Sequence, residues 1–161
     1  MPGARVYLST ALTCLIFTLV VAQKHCGIGL LLAAPFMAVW MAATAWSMWR
    51  KPAQRRVAGV KMLMWTVVLL ALACVHGYYA RAARAEAQQA VAAVLAYGVQ
   101  HQGFPASLAA AGIDQTGLKK RWMLAYTLDR GKPVLFYAST FMPFETISFD
   151  FERGAWRDGR S

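Results

Sequence analysis

Three long uncharged runs constrain this chain more than any other feature. Between Arg5 and Lys24 lie 18 residues without a charge (Val6 to Gln23), between Lys24 and Arg50 lie 25 (His25 to Trp49), and between Lys61 and Arg81 lie 19 (Met62 to Ala80). Each reaches the roughly 17 to 25 residues that carry a helix across a bilayer core. A buried helix of a soluble protein rarely stays uncharged on every face for five turns. A charge at mid-bilayer would cost about 2.5 kcal/mol or more, and these runs hold none. The chain therefore reads as an α-helical membrane protein with transmembrane spans at residues 6–23, 26–49 and 62–80, in an anchor covering residues 1–80.

Charge placement gives the anchor a direction. The formal net charge is +10, and all seven acidic residues lie at or beyond Glu86. The connection 50–61 carries Arg50, Lys51, Arg55, Arg56 and Lys61, whereas the first connection has only Lys24. By the positive-inside rule the basic loop is cytoplasmic, the N-terminus is inside and everything after Ala80 is outside. Trp46, Trp49 and Trp65 then mark the inner interface, and Tyr78 and Tyr79 the outer one. The expected location is the inner membrane of a bacterium, with a periplasmic C-terminal domain at residues 81–161. The first run admits a rival reading as a signal peptide, with Val20-Val21-Ala22 as the small-residue site before Gln23.

The same pattern excludes several classes. With 58% apolar residues the chain is no disordered basic tail. Cys14, Cys26 and Cys74 all fall in the apolar half, so a disulfide scaffold is excluded. Nucleic acid is not an expected partner, because the main basic cluster lies between two apolar runs. The partners expected are the lipid bilayer and an unknown protein on the periplasmic side. Pro35 can kink the second span. His76 reads as a snorkelling interfacial side chain, and the spans hold no acid or base for ion-coupled transport.

Beyond Arg81 the third helix is expected to run on to about Gln100, with Ala87, Val91, Val94, Leu95 and Gly98 forming its packing face. Gly77 is the place for a bend. Gly98, Gly103 and Pro105 end the helix, Pro105 to Ala111 reads as a short second helix capped by Gly112, and Asp114 to Lys120 reads as a loop. The rest alternates with period two. Trp122, Leu124, Tyr126 and Leu128 make a first strand, Asp129 to Lys132 a turn, and Pro133 to Ser139 a second strand. Ile147, Phe149 and Phe151 make a third, and Ala155 to Arg157 a short fourth after Arg153-Gly154. The expected head is α+β, a long helix packed on an antiparallel meander of three to four strands.

A long helix, apolar first and amphipathic afterwards, then Tyr97 and the run Gly103-Phe104-Pro105-Ala106-Ser107-Leu108, then an antiparallel sheet, resembles the type IV pilins and the pseudopilins of type II secretion. The resemblance covers Met62 to Trp156 and implies a pilin-like head. Those families begin at a peptidase site followed by a Glu that registers subunits in a filament. Here no acid precedes Glu86 and two other spans come first, so the resemblance implies an accessory or assembly role and not a conventional filament subunit.

Chemistry-bearing residues do not assemble in the sequence. His101 stands alone beyond the spans, Asp150 and Glu152 fall on the polar face of a strand, and Ser107, Ser139 and Thr140 have no His and acid at a suggestive spacing. No catalytic residue, cofactor site or metal site is expected, and no phosphate-cradling loop is present. Phe141, Met142, Pro143 and Phe144 form an apolar loop where small polar residues are ordinary, and they are the candidate partner-binding residues. Lys119, Lys120 and Arg121 read as a solvated turn or a headgroup anchor. Three functions stay open: a non-enzymatic accessory of a pilus or secretion machine, a membrane-tethered immunity protein against a periplasm-acting toxin, and an envelope enzyme with an unrecognised site.

Overall fold

The structure is a computed structural model that describes residues 5–142 and 144–159. It divides into two compact units, residues 1–77 and 78–161. The first holds α1 (Arg5–Val21), α2 (Ile28–Arg50), a 3₁₀ turn at Pro52–Gln54 and the opening of α3 (Arg55–His101). The second holds the remainder of α3, then α4 (Gln115–Trp122) and strands β1 (Ala125–Asp129), β2 (Lys132–Ala138), β3 (Thr146–Asp150) and β4 (Ala155–Asp158).

Among the described residues two helices, not three, are long and apolar enough to cross a membrane: α2 with 23 residues, and α3 together with its preceding turn. α1 is apolar but has 17 residues. It stops short of Gln23 because the chain turns there, with Cys26 N–H donating to the Gln23 carbonyl and His25 at φ 67°. The basic segment is also more helical than a loop. Only Lys51 and the 3₁₀ turn are non-α-helical; Arg50 ends α2, while Arg55, Arg56 and Lys61 stand on α3. Pro52 at the start of the turn needs no N–H donor there, and Arg55 Nε closes the segment onto the Met48 carbonyl at 2.8 Å.

Within the first unit α1 is tied to both other helices. Val21 is buried, and its side chain fills the space a Cβ on Gly29 would enter. Phe17 packs edge-on against Trp65 with centroids 5.5 Å apart. His76 does not snorkel. It is buried, and its Nε2 donates to the Val21 carbonyl at 2.8 Å. The last carbonyls of a helix lack intrahelical donors, so this bond satisfies a group that would otherwise be costly away from water.

In the second unit the sheet is an antiparallel meander in the order β1-β2-β3-β4. The register places Tyr126, Leu135, Phe149 and Trp156 in one row across all four strands, and α3 covers that face. Arg130 (φ 50°) and Gly131 (φ 80°) make the two-residue β1–β2 turn, whose left-handed backbone suits the strand twist. The helix face is built mainly of alanine. Ala83, Ala87, Ala90, Val91 and Val94 are buried, whereas Leu95, expected on that face, is exposed.

Two local assignments change. Residues 105–111 form turns, not a helix, with Pro105 and Leu108 in the core. Helix α4 replaces the expected Asp114 to Lys120 loop and takes in Trp122. Asp114 caps its N-terminus by accepting from Gly117 N–H at 2.9 Å, and Met123 ends it in the left-handed conformation. Leu118 and Trp122, one turn apart, bury its inner face.

Candidate interaction surface

The β2–β3 connection carries the apolar residues singled out by the sequence. Ser139 and Thr140 are buried at its start. Ser139 Oγ accepts from the Phe141 and Met142 N–H groups at 3.4 and 3.3 Å, Ser139 N–H donates to the Glu145 carbonyl at 2.7 Å, and Glu145 N–H donates to the Met142 carbonyl. Phe141 and Met142 are half-buried, and Pro143 lies outside the described residues. Phe144 is 91% exposed. Among the described apolar residues of the loop, Phe141 and Met142 are partly covered and Phe144 is held out in solvent.

A broader apolar surface lies at the end of α3, where the sequence pointed to none. Val99 is 84% exposed, and Leu95 and Phe104 stand beside it, partly exposed. With Gly98, Gln102 and Gly103 they line a hollow of about 310 Å³. Phe104 packs over Gly98, and its other side makes an edge contact with Phe151 at 6.0 Å. Phe151 continues into Phe149 (4.9 Å) and Phe149 into Trp156 (5.0 Å). Contiguous apolar surface with a charged rim is the signature of a contact site, whereas an isolated exposed apolar side chain is ordinary.

The segment that presents Phe104 is pinned from three sides. Tyr126 Oη donates to the Pro105 carbonyl at 2.8 Å, Gln115 Oε1 accepts from Leu108 N–H at 3.2 Å, and Leu108 is fully buried. Burial pushes the Tyr126 phenol above its ordinary range. His101 ends α3, stacked on Tyr97 at 4.0 Å with Nδ1 3.1 Å from the Tyr97 carbonyl.

Phe104, Phe149 and Phe151 also wall a second hollow, of about 410 Å³, whose rim is charged. There Asp150 accepts from Glu152 and Arg153 N–H at 2.9 and 3.1 Å, and Arg157 Nη2 reaches it at 2.7 Å. The Arg153 backbone donor, with those of Glu152 and the two guanidinium groups, holds the Asp150 carboxyl below its usual range. Across the rim Lys132 Nζ meets Glu152 at 2.6 Å, which raises the lysine's pKa first by the hydrogen bond and then by the carboxylate's charge. The two acids expected on a bare polar face are therefore partnered.

Of the other residues singled out, Arg121 bridges α4 to α3 through Glu86 at 3.1 Å instead of standing in a solvated turn. Ser107 Oγ accepts from Ala110 N–H. Among the described residues no group of three His, Cys, Asp or Glu side chains is placed to hold a metal ion. Compared with protein-family models, with curated proteins and with solved structures, the chain matches none.

Proposed function

We propose that the chain is a non-enzymatic membrane protein whose apolar helices lie in the bilayer and whose C-terminal unit, outside the cytoplasm, binds a protein partner. The observation that carries the binding role is the exposed apolar group at the end of α3, where Leu95, Val99 and Phe104 border a hollow of about 310 Å³. The membrane part rests on exposure as well as composition. None of the apolar window of α2 and 6% of that of α3 is buried within the protein, unlike the core helix of a soluble fold. Each large apolar side chain left in water forfeits about 1.5–3 kcal/mol of transfer free energy, so lipid is the medium that suits Leu32, Phe36 and Val39.

α1 joins the membrane part in this reading. Its described 17 residues are near the lower limit for a span, and Cys14, Val21 and Phe17 are packed against the rest of the unit. The five basic residues from Arg50 to Lys61 support a topology in which their end of α2 and α3 faces the cytoplasm, in a bacterial inner membrane. The progression from an apolar to an amphipathic helix, the Gly103 to Leu108 exit and a following meander support an accessory or assembly role in a machine of the type IV pilus or type II secretion kind.

Photo-crosslinking in living cells tests the reading. A crosslinker placed at Val99 should capture one discrete envelope protein, and at the solvated Gln89 it should not. Phe104→Ser should remove the Val99 adduct while the head stays folded. Equal labelling from both positions, or an adduct indifferent to Phe104→Ser, contradicts it.

A further inference from the structure

We propose that the end of the C-terminal unit carrying Tyr78 and Tyr79 is itself a lipid-contact surface, from which the Phe144 ring and the Met123 side chain dip into the outer headgroup layer. This rests on the membrane reading above and adds a second bilayer contact to it. The first support is the direction of the strands within the unit. β3 leads to Phe151, whose ring meets Phe104 at 6.0 Å, and Phe104 packs over Gly98 in the late part of α3. Two residues earlier, Phe149 shares a hollow of about 270 Å³ with Gln88, Val91 and Leu95, and the Arg84 guanidinium sits 4.0 Å over the ring of its cross-strand neighbour Trp156. β3 therefore runs the same way as α3, β2 runs back toward Tyr78, and the connection between them lies at the Tyr78 end. From Phe149 back to Thr146 is about 10 Å at about 3.3 Å per residue, the rise of about seven helical residues, which carries β3 from the level of Val91 to that of Arg84. Phe144 lies beyond that point. Tyr79 and Ala82 pack on the core of the same unit, so the head reaches down to their level.

Helix α4 arrives at the same end. Arg121 in its last turn bridges to Glu86 at 3.1 Å, and β1 begins soon after, with Ala125 paired to Phe136 near the end of β2. Met123, between the two elements, is 56% exposed and held in the left-handed conformation. Phe144 is 91% exposed and Tyr78 68%. One such side chain would be ordinary, but three from separate segments at one end of a domain form a contact surface. Position and charge decide what covers it. Tyr78 and Tyr79 mark the outer interface in the proposed topology, so an exposed ring near their level meets lipid headgroups. At this end Arg81, Arg84 and the Lys119–Arg121 run outnumber Glu86, Glu145 and Asp158 by 5 − 3 = 2, and Lys119 and Lys120 are exposed. Basic side chains suit lipid phosphates while apolar tips suit the acyl boundary beneath them.

The test places the photo-crosslinking residue benzoylphenylalanine at one position at a time in the full-length protein, reconstituted in vesicles of phosphatidylcholine and phosphatidylglycerol. Intact mass spectrometry then reads the phospholipid adduct. At Phe144 the substitution exchanges one exposed aromatic ring for another. Phe144 and Met123 should each label with lipid roughly tenfold more than Val99, which is equally open but stands at the far end of α3; that ratio is the preference expected from burying one large apolar side chain. A yield at either position no higher than at Val99, or an adduct at Phe144 with a second protein molecule in place of lipid, overturns the proposal. Tyr78 serves as the reference for the membrane reading. If Tyr78 labels with lipid while Phe144 and Met123 do not, this inference falls and the membrane reading stands; failure at Tyr78 as well removes both.

Discussion

Tyr126 shows how one side chain couples the sheet to the surface. Its ring fills the core row and its hydroxyl holds the Pro105 carbonyl, so the position of Phe104 depends on it. Tyr126→Phe keeps the packing but deprives a buried carbonyl of its donor, which should lower stability by about 1–3 kcal/mol. The phenol's pKa is raised in the fold, so its contribution is complete below the unfolded value and is lost as pH rises through the folded one. Thermal melts should show an alkaline loss of stability in the wild type that is smaller in Tyr126→Phe. Asp150 works with the opposite sign. Its folded pKa is depressed, so its contribution is present above the unfolded carboxylate range and disappears as pH falls through the folded value. Asp150→Asn should melt lower than wild type at pH 7, with the gap closing as the pH drops to acid. A gap independent of pH would assign its role to the neutral hydrogen bonds alone.

At the scale of elements, the readable parts were those with strong periodicity or unambiguous turn chemistry. The alternation of Ile147, Phe149 and Phe151 pointed to β3, which stops at Asp150 with Phe151 already in the turn, and the Asp129 to Lys132 turn pointed to the β1–β2 hairpin, whose strands take in both of its end residues. Helix α4 escaped because eight residues are too few for a periodic signal, and Lys119, Lys120 and Arg121 masked the buried pair Leu118 and Trp122. Asp114 three residues before Gly117 was its one sequence sign, a cap. The packing face of α3 was legible in Ala87, Val91 and Val94, all buried, but alanine is nearly silent on a hydrophobicity scale, so Ala83 and Ala90 were not, and the larger Leu95 lies outside. Leu95 facing outward is why the Val99 and Phe104 surface was not legible, whereas Phe144 stood out in its loop by composition alone. α1 carries its own prediction. With Val21 packed on Gly29 and bonded to His76, the bond after Ala22 is expected to survive in cells. Intact mass spectrometry of the purified protein should find residues 1–22 still attached, and a mass beginning at Gln23 would make α1 a cleaved signal.

For the whole molecule, the net charge of +10 separates into an address and a surface. Seven basic residues and no acid lie before residue 81, five of them between Arg50 and Lys61; the remaining ten basic and seven acidic residues leave the head at 10 − 7 = +3. In the proposed topology the outside placement of the head depends on α2, α3 and the basic segment between them, and is the same whether or not α1 is retained. The pilin-like role is a further step, resting on the order of elements and the Gly103 to Leu108 run. Membrane address is the claim on which the rest depends. An alkaline phosphatase that folds only outside the cytoplasm, fused after Ser161 in a bacterial host, measures it directly. The account predicts an active fusion, and one that loses activity when Arg50, Lys51, Arg55, Arg56 and Lys61 are all replaced by Gln. A well-expressed but inactive wild-type fusion would place the head in the cytoplasm and contradict the account.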